Sequence, residues 1–157
     1  MPRRAGKVVK RIVPPDAKYN STTVAKFING LMLRGQKTTA ERIVYDAIEL
    51  ASQQLNSDPA ELLEQAIGNA TPLLRVKPRR VGGATYQVPV EVDKDRGRSI
   101  AMRWLIASAR ARSGKSMKEK LAAELVDSTQ SRGATIKKRD DAHRMAEANR
   151  AFAHYRW

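Results

Sequence analysis

Arg75-Val76-Lys77-Pro78-Arg79-Arg80-Val81-Gly82-Gly83-Ala84-Thr85-Tyr86-Gln87-Val88-Pro89-Val90-Glu91-Val92 decides the fold. In its second half Tyr86, Val88, Val90 and Val92 recur at every other position, the period of a half-buried strand, while Val76 and Val81 flank basic residues in the first half. Gly82-Gly83 between them takes the positive φ of a tight turn at no steric cost. Residues 75–92 are therefore a β-hairpin. Pro78 and Pro89 each remove a ladder donor, so the two strands cannot both be central in a larger sheet, and the ribbon is expected to project as an arm.

On both sides of the ribbon the apolar period lengthens to that of helices. Asn20 or Ser21 is a candidate N-cap, followed by Val24, Phe27, Ile28 and Leu31 on one face until Gly35 interrupts. A second helix is predicted over 37–55, with Ala40, Ile43, Val44, Ala47, Ile48 and Ala51 inward. Asp58-Pro59-Ala60-Glu61 combines a cap, a proline at the first helical position and an acid in the first turn, so helix three starts there and buries Leu62, Leu63, Ala66 and Ile67 until Pro72 helps end it. Helix four is predicted over 98–110 on Ile100, Trp104, Leu105 and Ala107, which makes Trp104 a core residue. Ser116-Met117-Lys118-Glu119 is a capping box opening helix five, with Leu121, Leu125 and Ser128 inward. After Gly133 a sixth helix begins between Ala134 and Lys138 and carries Ala142, Met145, Ala146 and Asn149. The fold class is mostly α: one six-helix domain over 16–157, with the hairpin arm 75–92 inserted between helices three and four. Residues 1–15, ending in Pro14-Pro15, read as a basic N-terminal extension that orders on a partner.

A chain of 157 residues, 41% hydrophobic, can bury roughly 70% of its unfolded surface in one core. Its 30 Lys and Arg against 16 Asp and Glu leave a net charge of +14. A compact domain tolerates that self-repulsion when a polyanion neutralises it, and nucleic acid is the commonest; an anionic membrane is the competitor. No run approaches the roughly 20 apolar residues of a spanning helix, and the basic start is not followed by a hydrophobic signal core, so a soluble chain is expected. No cysteine is present, and two histidines, His143 and His154, cannot build a histidine-rich metal cage. No cofactor or metal is expected.

The charge is not spread evenly. Residues 43–74 hold Asp46, Glu49, Asp58, Glu61 and Glu64 and no Lys or Arg, a segment at −5, so the rest carries +19 of the total of +14. Basic clusters stand at Arg3, Arg4, Lys7, Lys10 and Arg11; at Arg75, Lys77, Arg79 and Arg80; at Arg96, Arg98 and Arg103; at Arg110, Arg112, Lys115, Lys118 and Lys120; and at Arg132, Lys137, Lys138 and Arg139. Placed at element ends and connections, such clusters suit an irregular RNA backbone better than a membrane surface or a duplex groove.

Three motifs suggest other chemistry. Ser113-Gly114-Lys115-Ser116 resembles part of a phosphate-binding nucleotide loop, but the required earlier glycine is Ala109 and no strand precedes it; a helix-helix turn with a capping serine explains it better. Asp140-Asp141 with His143 suggests acid/base work, yet adjacent acids point about 100° apart on a helix, and complementing the helix dipole accounts for them. Tyr86 either stacks on a base or packs the root of the arm, with packing preferred; Tyr155 and Trp157 dock onto the domain or onto a partner.

Arg79-Arg80-Val81-Gly82-Gly83-Ala84 with Tyr86-Gln87-Val88-Pro89-Val90-Glu91-Val92, then Arg103-Trp104-Leu105, and the tail from Arg144-Met145-Ala146 through Asn149-Arg150-Ala151-Phe152-Ala153-His154-Tyr155-Arg156-Trp157 closely resemble bacterial small-subunit ribosomal protein seven over nearly the whole chain. Phe27-Ile28-Asn29 and Tyr45-Asp46 resemble that family's first two helices. Gly35-Gln36-Lys37 departs from a frequent Gly-Lys-Lys, which removes one charge at Gln36.

The resemblance implies six helices with an inserted hairpin arm and no catalytic step. It implies direct binding to a multi-helix junction in the 3′ major domain of small-subunit ribosomal RNA, nucleation of head assembly, and a cytoplasmic, ribosomal location. It also implies a place at the subunit interface near exit-site tRNA and mRNA, contact with small-subunit proteins nine and eleven, no membrane, and no homo-oligomer. The residues expected on RNA are Arg3, Arg4, Lys7, Lys10, Arg11, Lys37, Arg75, Lys77, Arg79, Arg80, Arg96, Arg98, Arg103, Arg110 and Lys115. Those expected near tRNA and mRNA are Arg79, Arg80, Gly82, Gly83, Tyr86, Arg144, Arg150, Tyr155, Arg156 and Trp157. The alternative to this function is a helix-turn-helix DNA-binding regulator built around Arg112 to Ser116; a third reading is an RNA-processing enzyme using Asp141 and His143.

Overall fold

The computed structural model describes residues 12–114 and 116–155. Arg3, Arg4, Lys7, Lys10, Arg11, Lys115, Arg156 and Trp157 lie outside the described residues. Along the chain run α1 (Thr22–Leu31), α2 (Lys37–Leu55), α3 (Pro59–Ala70), β1 (Leu74–Val81), β2 (Ala84–Glu91), α4 (Lys94–Ala111), α5 (Met117–Thr129), α6 (Gly133–Ala148) and a terminal 3-10 helix (Arg150–Tyr155). The mostly helical fold with a ribbon between the third and fourth helices is the expected one.

Local chemistry starts the helices where the sequence placed them. Ser21 caps α1 by accepting from the Val24 amide at 3.5 Å, Asp58 caps α3 through the amides of Ala60 and Glu61 at 3.0 and 3.1 Å, and Ser116 caps α5 through that of Glu119 at 3.4 Å. Asn20, the other candidate, instead takes a left-handed backbone with φ 48°. Phe27, Ile28, Val44, Ile48, Leu62, Leu63, Ile67, Leu105, Leu121 and Leu125 are fully buried, each contributing about 1.5–3 kcal/mol by leaving water. Helix α5 is central, packed against α2, α3, α4 and α6.

Two stripes differ from expectation. Helix α4 starts at Lys94, with Asp95 in its first turn to complement the dipole, and its inner side is Gly97, Ala101, Met102, Leu105, Ile106, Ser108 and Ala109. Trp104 and Ile100 are half-buried and Ala107 is exposed. Close approach requires glycine at position 97: a Cβ there would stand 2.8 Å from Thr71 Cγ2 and 3.3 Å from the Pro72 carbonyl. On α6 the inner residues are Thr135, Ile136, Ala142 and Ala146, and Met145 is 51% exposed, because α6 covers the bundle with a narrower side than its apolar content suggests.

Strands β1 and β2 form a two-stranded antiparallel sheet in the register Arg75↔Val90, Lys77↔Val88, Arg79↔Tyr86 and Arg80↔Thr85, closed at Gly82 and Gly83 with φ 57° and 89°. The ribbon does not stand clear of the body. Helix α6 packs against β1, and the 3-10 helix runs along β2. At the ribbon's root the Leu73 amide donates to His143 Nε2 at 3.0 Å.

Candidate nucleic-acid interface

Residues opposite each other in an antiparallel pair share a face, so Arg75, Lys77 and Arg79 lie on the same side as Val90, Val88 and Tyr86, and Arg80 lies on the other with Thr85. The sequence cluster of four cations is thus split three to one. Arg75, Lys77, Arg79 and Arg80 sit within β1, as the predicted hairpin has them, and Arg98 and Arg103 within α4; α4 starts earlier than predicted, so Arg96 too lies in it, in its first turn. The turn glycines are exposed.

A second basic surface lies between α1 and α4. Lys26 and Gly30 on one helix and Ser99, Arg103, Ala107 and Arg110 on the other border a groove of about 360 Å³ floored by Met102 and Ile106. Lys26 escaped the sequence reading. The arithmetic that gives a core also gives this outer stripe, since 99, 103, 107 and 110 are spaced i, i+4, i+8 and i+11. Arg96 is exposed in the first turn of α4.

Internal bonds separate structural cations from available ones. Arg98 donates to Glu64 Oε2 at 2.5 Å and to Thr23 Oγ1 at 2.9 Å; Arg110 donates to the Leu31 carbonyl at 3.1 Å and so finishes α1. Arg139 donates to the Asn69 carbonyl at 2.6 Å and pairs with Asp140. Lys37 pairs with Glu41 at 3.7 Å, Lys118 with Asp46 at 3.4 Å, and Lys18 with Glu49. Arg144 stands 3.9 Å from Asp141. Among the described residues Lys26, Arg75, Lys77, Arg80, Arg96, Arg103 and Arg150 enter no ion pair. Of the −5 segment, Asp46 and Glu49 meet lysines and Glu64 meets Arg98; Arg80 and the groove residues Lys26 and Arg103 are exposed, while Arg75, Lys77 and Arg79 are half-buried on the ribbon face that holds Val88.

Burial pulls the Arg112 guanidinium down, but its bonds to Asp127 and Glu124 outweigh that and raise it, so the residue is a permanent cation. Arg112 sits in the turn offered as a helix-turn-helix, and α5, the would-be recognition helix, is the core of the bundle, with Leu121, Ala122, Glu124 and Leu125 buried. That geometry contradicts the DNA-regulator alternative. His143 is spent on Leu73, and Asp141 lies against Arg144. Tyr86, half-buried, packs with Phe152 at 5.2 Å between ring centroids and stacks on Tyr155, also at 5.2 Å. The preference for packing over base stacking agrees with this, although the ring lies near the turn and not at the root of the arm, and the 3-10 helix docks onto the ribbon.

A sequence profile of the family described as ribosomal protein S7p/S5e matches residues 2–150. A small ribosomal subunit protein uS7 from Chloroflexus aggregans is 63% identical over 155 residues, covering 99% of this chain and 98% of the relative. Those of Thermomicrobium roseum and Dehalococcoides mccartyi strain CBDB1 are 61% and 59% identical over 157 residues, covering both chains completely.

Proposed function

The chain belongs to the ribosomal protein S7p/S5e family, a structural and non-enzymatic component of the small ribosomal subunit, and from that premise we propose how it engages RNA. It binds small-subunit ribosomal RNA directly, at a multi-helix junction of the 3′ major domain, and by holding that junction nucleates the head. Its place is at the subunit interface, with the hairpin and C-terminal region nearest exit-site tRNA and mRNA, beside small-subunit proteins nine and eleven, in the cytoplasm. Residues 1–15 are a basic extension and residues 16–157 the single RNA-binding domain.

One observation carries this reading: cations that enter no ion pair among the described residues stand on the ribbon, at Arg75, Lys77 and Arg80, and along the α1–α4 groove, at Lys26 and Arg103, as well as on other elements, at Arg34, Arg42, Lys94, Lys120, Lys137 and Lys138, so positive charge is offered on more than one surface. A-form RNA hides its major groove from side chains, so phosphates, 2′-hydroxyls and junction shape are what such surfaces can grip. Arginine forks hold two phosphate oxygens at once, whereas lysine acts as a point charge. Two cationic surfaces, each neutralising a different RNA helix, bind the assembled junction better than its separate arms, and binding therefore stabilises the assembled form.

Chemical protection of small-subunit RNA by the purified full chain tests this. Protection confined to the 3′ major-domain junction is expected. Uniform protection, or protection elsewhere in the subunit RNA, would overturn it.

A further inference from the structure

Two bonds bracket the groove between α1 and α4. At one end Arg98 of α4 donates to Thr23 Oγ1 of α1 at 2.9 Å, and at the other Arg110 donates to the Leu31 carbonyl at 3.1 Å, so the walls are fixed before any ligand arrives. Between those ties the rim mixes cations with small residues: Lys26 and Gly30 on α1, and Ser99, Arg103 and Ala107 on α4, all exposed. Below the rim lie Met102 and Ile106, 8% and 5% exposed, one turn apart on α4. A Cβ on Gly30 would stand 3.2 Å from Ile106 Cδ1, so a side chain at position 30 would press on this apolar floor.

Phosphate alone needs cations and gains nothing from an apolar floor. A nucleotide whose base has left the stack needs both: an apolar surface for the face of the ring and cations for the phosphates beside it. The groove, about 360 Å³, is within the size range of small-ligand pockets, and a methionine sulfur favours contact with a ring. We propose that the α1–α4 groove is a pocket for one unpaired base of the small-subunit RNA, which lies on Met102 and Ile106 while Lys26 and Arg103 hold its flanking phosphates. This rests on the RNA-binding reading above and names what the groove takes: a base as well as backbone. Arg98 and Arg110 are positioning residues, which act by holding the walls.

The test is binding of full-length chains to the junction RNA across a salt series. Ala107→Leu narrows the mouth of the groove without changing charge, and Gln53→Leu, also at an exposed position but on α2, is its control. Ala107→Leu is expected to weaken binding about tenfold with the salt slope and the melting midpoint unchanged, since a base contact releases no counterion. Gln53→Leu should bind as the unaltered chain does. In a second series each unpaired nucleotide of the junction is replaced in turn by an abasic one, which keeps the phosphate. One position should cost the unaltered chain about tenfold and the Ala107→Leu chain under about twofold, the mark of coupled groups.

Full affinity in Ala107→Leu overturns the proposal, and so does a loss there that no abasic position shares, which would mean that the leucine merely obstructs the backbone. A lowered salt slope in Ala107→Leu overturns it too, because phosphates alone would then occupy the groove. Should Ala107→Leu fail to fold, Ser99→Leu on the same rim carries the same comparison. All of these failures leave the preference for junction RNA intact. Loss of that preference in the unaltered chain would instead overturn the functional reading beneath it, and this inference with it.

Discussion

Arg112 Nε lies 2.6 Å from Glu124 Oε2, a carboxylate with no solvent exposure, so the turn between α4 and α5 is tied to the inside of the bundle. The other carboxylate oxygen accepts from the Thr135 amide at 3.1 Å and from its hydroxyl at 2.5 Å, so one acid joins three helices. Glu124→Ala leaves Arg112 with Asp127 alone and strands two buried donors on Thr135. It should cost about 3–5 kcal/mol in chemical denaturation. A cost below about 1 kcal/mol would contradict the clamp.

Asp16 follows the basic extension. Burial favours its neutral form, but bonds from the amides of Tyr19, Ser21 and Lys18 at 2.9, 2.8 and 3.1 Å and from the Tyr45 hydroxyl at 3.3 Å hold it below the ordinary 3.8. A lowered carboxylate contributes stability that is complete above the unfolded value and lost as pH falls through the folded one. Asp16→Asn should therefore lose about 1.5–3 kcal/mol above about pH 5, and the difference from the unaltered chain should shrink to nothing in acid below 3.8. A gap independent of pH would refute the charge.

The partition of cations is testable directly. Lys26→Ala with Arg103→Ala should reduce RNA affinity at least tenfold and the salt slope by about 2, with the melting midpoint unchanged. Arg98→Ala should instead lower the melting midpoint, since it removes the tie to Glu64 and Thr23. Arg79→Ala with Arg80→Ala should weaken binding more than Lys118→Ala with Lys120→Ala; equal losses would mean that total charge, not placement, sets affinity.

His143→Ala removes the acceptor of the Leu73 amide at the ribbon's root. It should cost about 1 kcal/mol of stability, and RNA incubated with either chain should stay uncut. Turnover that disappears in the variant would revive an enzymatic role.

Helix caps and the ribbon were legible because each is a local statement: a serine or aspartate before an apolar run, two glycines between alternating valines. What escaped depended on partners distant in sequence. Trp104 looked inward by period, yet the buried side of α4 is centred on Ala101, Met102, Leu105 and Ile106 and leaves Trp104 half-buried at its edge. Arg98, Arg110 and Arg139 looked like surface charges, and their partners Glu64, Leu31 and Asn69 lie in other helices. Glu124 could not be identified as buried, because nothing near it in sequence announces Thr135 and Arg112 as its donors.

Selective binding to the small-subunit junction RNA, measured between 50 and 200 mM salt against an RNA of matched length and arbitrary sequence, tests the central claim most directly. With about six to ten phosphates engaged, affinity for the junction should fall by roughly three to five decades over that range while remaining well above that for the control at every point. A flat response to salt, or equal affinity for the two RNAs, would contradict it.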